Sequence, residues 1–178
     1  METNTHSLTK YAMHYGAIFG AYWIAKYPLM MLSFTYNSAI ILYWGLTLLV
    51  PVLAFLLTKN YRDKHRHGEI SFFHAWRFGI MLYLCAAIMI SLLHFVFYKY
   101  VAPEDFIANS LNTATKIMTE ATDNPEFLKA VENHHFYSPI TMAVQGIFSN
   151  VFYGILLSIP VAFFVKREPK EAHNYNEN

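Results

Sequence analysis

Apolar residues in this chain gather into four long blocks, at about residues 11–32, 39–57, 78–98 and 140–165. Each reaches the roughly 20 mostly apolar residues that a helix needs to cross a bilayer. None alternates strictly between apolar and polar, and all are too long for barrel strands, so the pattern predicts helices. The carboxylates mark the same boundaries independently. No Asp or Glu lies between Thr3 and Arg62, between Ile70 and Pro103, or between Asn133 and Arg167. A charge at the bilayer centre costs about 2.5–3.5 kcal/mol even on insertion scales, whereas soluble core helices have no reason to exclude acids so completely. The expected fold class is all-α: an integral membrane four-helix bundle with a short helical outer loop. One four-span domain is expected over residues 1–170, with a disordered tail at 171–178. The first block carries Lys26 and Pro28 and lacks a clean cleavage pattern, so it is read as a retained helix rather than a secretory signal.

The polar segments between the blocks set the orientation. The loop from Thr58 to Arg77 holds Lys59, Arg62, Lys64, Arg66 and Arg77 against Asp63 and Glu69, and the last block is followed by Lys166, Arg167 and Lys170. The loop at 99–138 holds Lys99, Lys116 and Lys129 against Glu104, Asp105, Glu120, Asp123, Glu126 and Glu132. Basic loops stay inside, so both termini and the middle loop are expected on the cytoplasmic side and the acidic loop outside. In the inner loop, Gly68 reads as a break and Ser71 as the cap of the third helix, and Arg62, Lys64, Arg66 and Arg77 are expected to meet lipid headgroups. In the outer loop, Pro103-Glu104-Asp105 and Asp123-Asn124-Pro125-Glu126 read as the starts of two short amphipathic helices.

Composition narrows the function classes. Of 178 residues, 55% are hydrophobic, 17% aromatic and 14% charged, against about 25% charged in an average soluble domain. A net charge of +1 argues against a nucleic-acid partner, which calls for a basic face. One cysteine, Cys85, excludes an internal disulfide framework. There is no Gly-rich phosphate loop, nucleophile elbow or HExxH, so the chain is not expected to be an enzyme or to hold a cofactor.

The polar and small residues inside the blocks are the remaining candidates. Gly16 and Gly20 on the first helix, and Gly146, Asn150, Gly154 and Ser158 on the fourth, form stripes that let helices approach closely. They are expected to face other helices, each other among the alternatives, or to mediate homodimerisation through Gly16 and Gly20. Lys26, His94 and Gln145 are the candidate intramembrane polar residues, with His14 beside them. Lys26 is expected to snorkel toward the outer surface. The adjacent pair His134 and His135 points two ways on a helix and is poor chelation geometry, and His65 with His67 lacks a third ligand, so no metal site is expected. Pro51 and Pro160 are expected to kink the second and fourth helices.

The stretch NYRDKHRHGEISFFHAWRFG, from Asn60 to Gly79, resembles the signature of a membrane family common in Bacteroidota, the domain of unknown function 4199. Tyr61-Arg62-Asp63, Gly68, Ile70-Ser71-Phe72, Ala75 and Gly79 carry the likeness, which extends from about Leu8 to Lys170. His74 and Trp76 are outside that pattern. The resemblance implies a four-helix protein of a bacterial inner membrane and brings no activity, cofactor or catalytic residue. The reading is therefore a multi-pass inner-membrane protein, structural or accessory within a membrane assembly, with a small oligomeric carrier or channel as the alternative. Its expected partners are the lipid bilayer and a membrane protein or a second copy of itself.

Overall fold

The structure, a computed structural model, describes residues 2–33, 35–103, 105, 106, 109, 113, 116, 120 and 138–167, with side chains from Leu8 onward. Its helices are α1 (Glu2–Leu32), α2 (Asn37–Leu48), α3 (Val50–His65), α4 (Phe72–Val96), which continues into a π-helical turn at Phe97–Val101, and α5 (Pro139–Val165). The described residues contain no strand, only an isolated antiparallel bridge between Ile70 and Arg167. The fold is all-α, as the patterning predicts.

Among the described residues, three helical stretches are long and apolar enough to cross a membrane: Asn37–His65, Phe72–Val101 and Pro139–Val165. The helix of the first block is not among them. It is 31 residues long, ample for a crossing, but Lys10, His14, Lys26 and Tyr11, Tyr15, Tyr22 and Tyr27 dilute its apolar character.

The second block is one apolar stretch divided at Leu49, which separates α2 from α3. Pro51 explains the division: it has no N–H to donate to the carbonyl of Thr47 and its ring crowds that turn. Leu46, one residue earlier, accepts a hydrogen bond from the Tyr22 hydroxyl of α1 at 2.7 Å. Pro160 sits inside α5 in the same relation to its own preceding turn, and α5 runs through it to Val165. There the carbonyl of Ile155, five residues before the proline as Leu46 is before Pro51, accepts from Trp76 Nε1 at 3.1 Å. An aromatic donor from a neighbouring helix thus serves a carbonyl beside each proline, one way in which apolar surroundings tolerate proline in a helix.

The chain divides into two compact units, one within Met1–Met89 and Asn150–Asn178, the other within Ile90–Ser149. The first is built on α4. Ala75, Phe78, Gly79, Leu82, Tyr83, Ala86 and Ala87 are all buried on it, at the three- and four-residue spacing of one broad helical face. Leu8, Ala12, Tyr15, Gly16, Phe19 and Gly20 make the buried face of α1, and Val50, Ala54, Leu57, Thr58, Tyr61 and Arg62 that of α3. On α5 the buried face is Gly154, Ser158, Val161, Ala162 and Val165. In contrast α2 buries none of its residues, and Ile41 and Leu48 are 75% and 76% exposed. Tyr15 and Tyr27 are buried on α1.

In the second unit, the rings of Phe97 and Tyr98 lie 5.6 and 6.0 Å from that of Phe106. Residues 106, 109, 113, 116 and 120 are helical, in keeping with a helix start at Pro103. The second expected outer helix, from Asp123, lies outside the described residues, as do His134, His135 and the tail from Glu168.

Candidate functional site

The signature stretch folds at the end of the first unit where α3 turns into α4, and nearly every residue that carries the family likeness has a definable task there. Tyr61 is buried on α3 and its ring stacks on Phe78 at 4.1 Å with an interplanar angle of 5°. Its hydroxyl shares a 3.0 Å hydrogen bond with His74 Nε2. Tyr11 of α1 stacks on His65 at 3.9 Å, so α1, α3 and α4 meet through aromatic rings.

Arg62 follows on the same buried face. Its Nη1 donates to the carbonyl of Val165 at 2.9 Å and its Nε to Asp63 Oδ1 at 2.7 Å. Val165 is the last residue of α5, where carbonyls lack helical partners and the helix dipole is negative. A guanidinium there caps the helix. The next turn of chain is pinned by the backbone: Ile70 N donates to Arg167 O at 2.8 Å and Arg167 N to Ile70 O at 2.9 Å. Between these anchors the chain reverses through His67 (φ 54°) and Gly68 (φ 83°), both in the left-handed region. Gly68 tolerates this without a Cβ penalty. Ser71 Oγ accepts from His74 N at 3.4 Å, a long cap, and α4 starts at Phe72. Ala75 and Gly79 lie on the buried face of α4, where a Cβ on Gly79 would stand 2.6 Å from Ser158 Oγ. These contacts form a clasp that ties α3, α4 and the end of α5 together. Beside it lies an open cavity of about 460 Å³ lined by His65, Arg66, His67, Glu69, Ile70 and Ser71.

The four basic residues expected at headgroups divide. Lys64 and Arg77 are exposed and Arg66 is half-buried. Arg62 departs from the expectation: it is only 6% exposed and turns inward, because the α5 terminus offers it a carbonyl. No local sequence signal announces that partner, which is 103 residues away.

Lys26 is also buried, at 6% exposure, rather than snorkelling. Its Nζ donates to Thr47 Oγ1 at 2.7 Å and lies 4.6 Å from the Tyr43 ring centroid and 5.4 Å from that of Trp23. Thr47 in turn donates to the Tyr43 carbonyl. Two aromatic faces and one hydroxyl replace water around the ammonium. Of the other polar candidates, Gln145 and His14 are exposed, and Asn150 and His94 half-buried.

The glycine stripes meet α4 and not each other. A Cβ on Gly16 would stand 2.6 Å from Cys85 Cβ, and one on Gly20 would stand 2.5 Å from Met89 Sδ. One on Gly154 would overlap Tyr83 Cβ, and one on Gly146 would lie 3.2 Å from His94 Nδ1. Gly16 and Gly20 thus face α4 within the chain.

No curated protein and no solved structure matches the chain. The sequence model of one family, described as protein of unknown function (DUF4199), matches residues 14–167, a span that takes in the clasp from Tyr61 to the Arg167 bridge. On that match the chain belongs to the DUF4199 family.

Proposed function

We propose that this is a multi-pass protein of a bacterial inner membrane in which α1 is a fourth crossing, with both termini and the α3–α4 loop on the cytoplasmic side, and that it acts as a structural or accessory component of a membrane assembly rather than as an enzyme. The observation that carries the reading is the role of the signature residues. Tyr61, Arg62, Gly68, Ile70, Ala75 and Gly79 stack, cap, turn, bridge or pack, and chemistry on a substrate is not needed to account for any of them. The apolar surfaces support it further. Trp44, Phe148, Phe152 and Phe164 are exposed on helices long and apolar enough to cross a bilayer, and surfaces of that kind on a soluble protein would drive association.

Gentle purification from native membranes, with identification of co-purifying proteins, tests the role. A stable membrane-protein partner recovered in constant ratio is the expected result. A chain that emerges alone and renders liposomes permeable to a solute would replace this reading with a carrier or channel.

A further inference from the structure

The cavity beside the clasp has chemistry that the clasp does not use. Its volume of about 460 Å³ falls within the roughly 300–1,000 Å³ typical of small-molecule sites. Arg66 lines it and is half-buried. Its backbone is already engaged, its N–H with the Arg62 carbonyl and its carbonyl with Glu69 N, so the guanidinium is the part of the residue left to meet a ligand. Ser71, His65 and His67 are the other polar residues of the lining beside Glu69. Ser71 stands directly before α4, whose N-terminal end is the positive end of its dipole.

The charge around the cavity selects the sign of the ligand. This end of the unit carries Lys59, Arg62, Lys64, Arg66, Arg77, Lys166 and Arg167 against Asp63 and Glu69. Glu69, the carboxylate among the lining residues, is exposed. A guanidinium in the lining opposes a metal cation, and among the described residues no three His, Cys, Asp or Glu side chains are grouped to hold one. A guanidinium fork matches a tetrahedral oxyanion, to which it can donate two parallel hydrogen bonds.

We propose that the cavity at the α3–α4 turn binds a phosphate group, with Arg66 as its principal donor and Ser71, His65 and His67 around it. The same chemistry is offered by free phosphate, by a soluble phosphomonoester and by a lipid headgroup. The site does not depend on the structural role proposed above, because inorganic phosphate tests it whether or not the chain has a partner.

The experiment is a titration of the full chain in phosphate-free maltoside micelles, with the imidazole resonances of His65 and His67 followed by NMR. One arm adds inorganic phosphate; the other adds phosphatidylglycerol in its absence. A saturable shift is expected, weakened at least about tenfold in Arg66→Gln and unchanged in Lys64→Gln, which removes the same charge from an exposed position. Saturation by the lipid alone assigns the site to headgroups, and saturation by phosphate alone assigns it to a soluble ligand. If Arg66→Gln loses its helical circular dichroism, His67→Asn replaces it; Asn keeps the left-handed turn, removes one imidazole, and is expected to weaken binding severalfold. Shifts that never saturate in the wild-type chain with either probe, or that saturate identically in the well-folded variant, overturn the proposal.

Discussion

Arg62 and Lys26 are both buried cations, and they are satisfied differently. Arg62 has a carboxylate beside it and a helix terminus to cap. Lys26 has a hydroxyl and two rings, and among the described residues no ion pair includes it. The difference gives opposite expectations. Arg62→Met strips the α5 terminus of its donor and leaves the Val165 carbonyl buried, which is expected to cost about 2–3 kcal/mol in equilibrium unfolding in mixed micelles. Lys64→Gln, exposed two residues further on, is expected to stay within about 0.5 kcal/mol. Lys26→Met keeps the volume and removes the buried charge, so it is expected to be neutral or stabilising by up to about 1–4 kcal/mol. A large loss of stability in Lys26→Met would show that the ammonium, and not the packing of its stem, holds α1 to α2. Neither burial was legible in the sequence. Both look like residues that reach for water, and their partners Thr47 and Val165 lie 21 and 103 positions away.

At the scale of elements, apolar periodicity was the readable part. The expected block at 78–98 became a helical stretch at Phe72–Val101, and that at 140–165 became Pro139–Val165. The extension at the start of α4 is a polar and aromatic turn that hydropathy cannot assign to a helix, though Ser71 marked it as a cap. Pro51 announced a break, but nothing in the sequence marked Tyr22 and Trp76 as donors to the carbonyls near the two prolines. Tyr22→Phe keeps the ring and removes the donor; Trp76→Phe removes the donor and shrinks the indole to a phenyl ring. Each is expected to cost about 0.5–2 kcal/mol, and the amide protons around Leu49 or Ile159 should exchange faster, as hydrogen exchange can measure. The glycines make a second contrast. Gly154→Ala places a methyl on the Tyr83 side chain and is expected to cost about 1–3 kcal/mol through overpacking. Gly45→Ala, at a helical position with nothing within 4 Å, is expected to stabilise α2 by about 0.5–1 kcal/mol. Sequence spacing identified the stripe that holds Gly154, yet it could not say which helix the stripe would meet. That choice is made by α4, whose Gly79 and Tyr83 complement Ser158 and Gly154.

For the whole molecule, the distribution of carboxylates and apolar blocks carried the architecture, and the clasp explains why the family signature takes the form it does. Residues that a sequence presents as a basic loop are divided in space between an inward cap, Arg62, and an outward charged surface that includes Lys64 and Arg77. The bridge between Ile70 and Arg167 closes a span of chain far longer than any local motif. All of this presumes that hydrocarbon surrounds Asn37–His65, Phe72–Val101 and Pro139–Val165. The direct measurement is fractionation of cells that express the full chain, with alkaline carbonate washing followed by high-speed centrifugation. The chain should remain in the pellet and enter solution only with detergent. A folded, monodisperse protein in the detergent-free supernatant would contradict the account.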